Sequence, residues 1–175
     1  MPARFSYGAI IARLFRMDDE AWERHASPWS VWTRVPTIVP LLAAVWVNSY
    51  SGWLCALSLG VVAIWSYLNL RVFPPPASTD NWASKATFGE RIWLNRGLVP
   101  IPTRHVRVAD LLAGVAGLAF AVGVVGAWFN EPVSTLTGGA IALFAKLWFC
   151  DRMVWIYEDM KDADPRYQAW RKPSP

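Results

Sequence analysis

Apolar residues in this chain fall into four long blocks separated by short or polar connections. A core-facing helix of a soluble protein repeats apolar residues along one stripe, whereas these blocks are apolar around the whole helix, as hydrocarbon solvation requires. At 1.5 Å per residue, about 20 residues cross a hydrocarbon core of about 30 Å. The pattern therefore predicts an all-α integral membrane protein with four transmembrane helices over residues 28–50, 53–73, 109–129 and 132–157. Ser27 followed by Pro28 is a good cap and first-turn pair for the first helix. Pro36 and Pro40 should kink it, since each removes a backbone donor. Pro74, Pro75 and Pro76 stop the second helix, and the fourth is longer than a bilayer needs, so its end should project into water.

The connections decide orientation. Residues 48–52 and 130–133 read as tight turns that make two helical hairpins, and between the hairpins runs a polar segment, 74–108. All 17 Lys and Arg fall on one side of this topology or in helix halves facing it, and the only charge on the other side is Glu131. The positive-inside rule then puts both termini (1–26 and 158–175) and the 74–108 loop in the cytoplasm of a multi-pass cell-membrane protein. Within 1–26, residues 5–16 place Tyr7, Ile10, Ile11, Leu14 and Phe15 on one face with Arg4, Arg13 and Arg16 elsewhere, the pattern of a basic amphipathic helix lying on an anionic leaflet. Asp18, Asp19 and Glu20 suggest a fresh helix start, because carboxylates favour a helix N-terminus.

Composition narrows the class. The chain is 54% apolar and only 17% charged, against about 25% charge in soluble domains, and its mean hydropathy is +0.24. A soluble enzyme, a disordered chain and a disulfide scaffold are excluded, and the length suits one membrane domain over 1–175. The net charge of +4 sits beside membrane segments, so nucleic acid is not an expected partner. Cys55 and Cys150 lie at opposite ends of the predicted bundle, and the run Ala9–Ala12, broken by Arg13 and Arg16, does not read as a cleavable signal. The 12 Trp flank the predicted interfaces and read as two aromatic belts, or alternatively as a surface for a ring-shaped pigment or a partner helix.

Two groups of residues carry candidate function. The first is a cytoplasmic-side polar set: Asn69, Asp110, Lys146, Asp151 and Arg152 near helix ends, with Glu90 and Arg91 in the loop. Lys146 is the deepest charge, so it should snorkel or meet a polar partner, with Asp110, Asn69 and Asp151 as candidates. A short loop helix over 89–96 should lie against the helix ends, with Arg91 or Arg96 near the acidic end of the fourth helix. The second group is a helix-packing or partner face: Ala113 and Gly117 in one row, Ala119, Gly123 and Ala127 in another, with Gly138 and Ala142 on the fourth helix. Small residues at four-residue spacing let helices approach closely in lipid. His25 and His105 show no metal-ligand spacing, so no metal is expected, and no motif assigns a cofactor; either histidine could ligate a haem only as a lone residue.

The stretch Trp22-Glu23-Arg24-His25-Ala26-Ser27-Pro28-Trp29-Ser30-Val31-Trp32-Thr33-Arg34, with Lys85 and Gly89-Glu90-Arg91-Ile92-Trp93-Leu94-Asn95-Arg96 downstream, resembles a family of small prokaryotic integral membrane proteins known as a domain of unknown function. The resemblance covers about residues 18–157. It implies a four-helix membrane protein and transfers no activity, ligand or catalytic residue.

The expected function is that of a non-catalytic membrane subunit or scaffold, packing against the bilayer and against other membrane subunits, pigments or a second copy. The alternative is an enzyme at the cytoplasmic interface acting on a lipid-like or quinone-like substrate through the polar set. A soluble partner for the polar set and a specific substrate are not encoded in any motif of the chain.

Overall fold

The structure is a computed structural model that describes residues 17–173. The amphipathic helix expected over residues 5–16 lies outside the described residues. Among those described, every regular element is helical: α1 (Asp19–His25), α2 (Pro28–Arg34), α3 (Ile38–Trp46), α4 (Gly52–Val72), α5 (Trp82–Leu94), α6 (Thr103–Trp128), α7 (Pro132–Met160) and α8 (Pro165–Ala169). Short 3₁₀ turns occupy Val35–Thr37 and Val47–Ser49.

Four stretches are long and apolar enough to cross a membrane: Pro28–Ser49, Gly52–Val72, Thr103–Trp128 and Pro132–Met160. Between 17% and 33% of the most apolar window of each is buried, so most of their side chains face outward. Leu57, Val61, Ile64, Leu118, Leu136 and Phe144 are among the large apolar groups exposed in this way, which suits a hydrocarbon solvent and no aqueous one. The first stretch breaks where the prolines predict: Pro36 sits in a 3₁₀ turn, and Pro40 has no N–H to donate to the turn behind it. α6 begins at Thr103, earlier than 109, because its start is set by Pro102 rather than by the polar-to-apolar boundary. It carries Arg104, His105 and Arg107 in its first turns.

The chain divides into two compact units. One comprises the residues up to Val31, Leu70–Ala109 and those from Cys150 onward; the other comprises Trp32–Asn69 and Asp110–Phe149.

In the first, polar unit, local chemistry starts each helix. The Asp18 carboxylate accepts the Ala21 N–H at 2.8 Å and caps α1. Asn81 accepts the Ser84 N–H at 2.9 Å and caps α5. The loop helix thus runs over Trp82–Leu94, longer than the expected 89–96, since Asn81 supplies a cap further upstream. Its inner face buries Ala86, Phe88, Ile92 and Trp93. The Ser84 hydroxyl donates to the Ala26 carbonyl at 2.7 Å and Thr87 donates to the His25 carbonyl at 3.4 Å. Both acceptors belong to the end of α1, where carbonyls have no intrahelical donor. Gly89 lies against the Met153 backbone, and a Cβ built on it would stand 1.8 Å from the Met153 carbonyl oxygen.

In the second, apolar unit, α6 and α7 meet backbone to backbone. A Cβ on Gly138 would stand 2.5 Å from the Gly123 nitrogen and 2.7 Å from the Ala119 oxygen; one on Gly126 would stand 2.7 Å from the Thr135 nitrogen. Leu42 of α3 reaches into this seam at Gly123 and Gly139. The turn joining α6 to α7 passes through Asn130 at φ 55°, a left-handed conformation that Asn tolerates better than most side chains. Its amide donates to the Trp46 carbonyl at 3.0 Å. Glu131 then caps α7, accepting from Val133 N–H at 3.0 Å and Ser134 N–H at 2.6 Å. The bonds from Ser134 chiefly, with that from Val133, hold its carboxyl below the ordinary range.

Candidate functional site

The polar unit gathers most of the charged side chains of the described residues, and it does so by pairing them. Arg91 pairs with Asp19 and stacks over Trp170 at 4.3 Å, with Trp22 at 5.5 Å. Arg91, expected with Arg96 as a candidate for the acidic end of the fourth helix, is taken by Asp19 instead, and Lys85 stands at that end. Arg96 stacks over its own Trp93 at 4.4 Å and donates to the Trp93 carbonyl at 2.9 Å. Lys85 stands 2.9 Å from Glu158 and 3.0 Å from Asp80. The reason is register: starting α5 at Trp82 puts Lys85 in its first turn, on the side that reaches α7, and carries Arg91 round to α1.

Glu158 also accepts from Lys161 at 2.7 Å, so one carboxylate holds two ammonium groups. Its hydrogen bond, followed by that of Asp80, raises the Lys85 pKa; Lys161 is raised by Glu158 in the same way. Asp159 accepts from Arg104 at 2.8 Å and lies 2.8 Å from His105 Nε2, while the buried His105 Nδ1 has no hydrogen-bond partner among the described residues. Glu90 stands 4.0 Å from His25. Asp151 accepts the Trp82 indole N–H at 3.2 Å. Arg152 is half-buried, and its Nε has no hydrogen-bond partner among the described residues.

In the apolar unit, Asn69 is fully buried and donates to the Thr33 hydroxyl at 2.7 Å. Asp110 is exposed. Lys146 is half-buried and lines a recess of about 270 Å³ with Ala113, Ala116, Gly117 and Phe149. It makes no ion pair or hydrogen bond with any described residue, so the expected polar partner is not brought to it. Lys146 lies about 21 Å along α7 from Pro132, which leaves the far boundary of a 30 Å core about two helical turns away, within reach of a snorkelling ammonium.

The small residues separate into two sets. Ala119, Gly123, Ala127, Gly138 and Ala142 are buried, and Gly123, Ala119 and Gly138 form the close seam of α6 with α7. Ala113 and Gly117 are exposed, and a Cβ built on Gly117 or on Gly114 would meet nothing within 4 Å.

A family model matches residues 7–175, and it is described as a family of unknown function, DUF6653. The chain belongs to that family. No curated protein and no solved structure matches it.

Residues outside the predicted polar set shape the polar unit as much as those within it. Thr79 donates its N–H to the Lys172 carbonyl at 2.9 Å, and the Lys172 N–H donates to the Thr79 hydroxyl at 2.8 Å. Lys172 also pairs with Glu23 at 3.1 Å. The C-terminal segment, expected only as a cytoplasmic tail, is thereby fixed. One signal for it stands in the sequence: Asp164 followed by Pro165 is a cap and first-turn pair, and Asp164 accepts the Arg166 N–H at 2.9 Å.

Proposed function

We propose that the chain is a non-catalytic integral membrane subunit or scaffold that packs against partner membrane proteins or pigments of a larger complex. In this reading residues 17–27, the 74–108 segment and the C-terminal segment face the cytoplasm, where Lys and Arg concentrate. The observation that carries it is the inequality of the two small-residue rows on α6. One row is used up in the chain's own seam with α7, whereas Ala113 and Gly117 remain exposed in a recess beside Ile38, Lys146 and Phe149, where a Cβ on Gly117 meets nothing within 4 Å. In lipid, where apolar burial gives little drive, an open row of small residues lets a second helix approach closely enough to gain dispersion contacts. The polar set supports the same reading, because Asn69, Asp151, Glu90 and Arg91 each engage a neighbour of their own unit.

The experiment is native purification of the full chain in mild detergent, with identification of co-purifying chains and pigments, for wild type and for Gly117→Leu. Wild type should carry partners or a second copy, and Gly117→Leu should lose them with its thermal unfolding unchanged. Gly138→Leu, placed in the closed seam, should fail to fold. If Gly117→Leu keeps the wild-type partners and native mass, or wild type carries none, the proposal is wrong.

A further inference from the structure

We propose that the polar unit holds a binding site for a phosphate-type anion, in the cleft between Tyr157, Lys161 and Arg171. The cleft has a volume of about 510 Å³, and those three residues also line an adjoining recess of about 50 Å³. Its floor is built by packing. The Tyr157 ring rests on Phe88, with centroids 5.5 Å apart, and the residue is 4% exposed. The ring is buried, while the Tyr157 hydroxyl makes no hydrogen bond with any described residue and is open to the cleft.

Arg171 is held in place by its neighbour in the chain. Lys172 is bonded in both directions to Thr79 and pairs with Glu23, so the backbone carrying Arg171 is anchored beside the cleft. The Arg171 guanidinium itself has no carboxylate partner among the described residues. Of the carboxylates, Glu158 is shared between Lys85 and Lys161 at 2.9 and 2.7 Å, and Asp162, which lines the cleft and keeps its charge, is turned to Gln168 at 3.3 Å. An ammonium has three donors and a guanidinium five, so donor capacity is left over on Lys161 and Arg171, and the Tyr157 hydroxyl adds another donor. Spare donor capacity on Lys161, Arg171 and the Tyr157 hydroxyl around one cleft suits a tetrahedral oxyanion, which accepts from several directions and donates little. The phosphate could be that of a lipid headgroup or of a free phosphate.

The test uses the full chain with two probes. One arm titrates inorganic phosphate onto protein in mild detergent, against chloride at equal ionic strength, following thermal unfolding and tryptophan fluorescence. The other measures binding to phosphatidylcholine vesicles with and without phosphatidic acid. A saturable response to phosphate assigns a free-phosphate site, and a response only to phosphatidic acid assigns a headgroup site. In whichever arm responds, Arg171→Gln should weaken binding about tenfold and Tyr157→Phe about threefold, from the loss of a charge-assisted and a neutral hydrogen bond respectively. Arg171 is exposed and Tyr157→Phe keeps the ring, so both variants should retain wild-type unfolding without ligand. Equal responses to phosphate and chloride with no preference for phosphatidic acid, or binding indifferent to Arg171→Gln in both arms, would overturn the site.

Discussion

Gly89 shows how much one missing Cβ decides. It sits in the middle of α5, where glycine is a poor helix former by about 1 kcal/mol relative to alanine, yet the backbone of Met153 occupies the space a side chain would fill. Ser84 and Thr87, five and two residues before it, bond to the end of α1, so α5 cannot simply lift off to make room. Gly89→Ala should therefore destabilise the protein by about 2 kcal/mol, the overpacking penalty outweighing the gain in helix propensity. Chemical denaturation of the purified protein in detergent checks this, and a variant as stable as wild type would show that α5 does not rest on Met153 as described. Lys146 is the opposite case, a charge with room around it and no described partner, whose position is set by the reach of its own side chain.

Among the helices, the short ones depend most on their ends. α8 spans only Pro165–Ala169, too few residues to be helical by propensity alone. It is started by Asp164, whose carboxylate accepts both the Arg166 N–H and the Arg166 guanidinium. The guanidinium bond first, and the backbone bond second, lower the Asp164 pKa to about 2. A carboxylate with a depressed pKa contributes its stability above its ordinary value, and loses it as pH falls through the folded one. The α8 cap should thus stay intact through mild acid and release only near pH 2. A carboxyl-carbon NMR titration should place the Asp164 midpoint near 2; a midpoint at the ordinary aspartate value of about 3.9 would mean that Arg166 does not hold it.

For the molecule as a whole, the prediction concerns the orientation of the four apolar stretches, each long enough to cross a bilayer. The charge asymmetry argues that the turn after α3 faces outward and the segment after α4 faces the cytoplasm. Tyr50 and Ala77 are both exposed in the fold, so each can be replaced by cysteine in a Cys55→Ala, Cys150→Ala background. A membrane-impermeant maleimide should label Tyr50→Cys on intact cells and Ala77→Cys only after lysis. The reverse pattern would invert the topology.

The four long apolar helices were legible in the sequence because block length and hydropathy are local properties, and so were the helix start at Asp18 and the break at Pro36. The family resemblance, read from residues 22–34, Lys85 and 89–96, was legible too, and a family of unknown function matches residues 7–175. Which neighbour each side chain meets was not. The two rows of small residues on α6 look alike along the chain, and only the rotation of α6 against α7 closed Ala119 and Gly123 while leaving Ala113 and Gly117 open. Arg91 and Lys85 are both cations of one loop, and the start of α5 at Asn81 sent one to Asp19 and the other to Glu158. Arg171 gained its place beside Tyr157 only because Thr79, far away in sequence, bonds to the residue after it. Hydrophobic length is written residue by residue, but helix rotation and chain return are set by contacts between distant segments, and those exist only once the chain has folded.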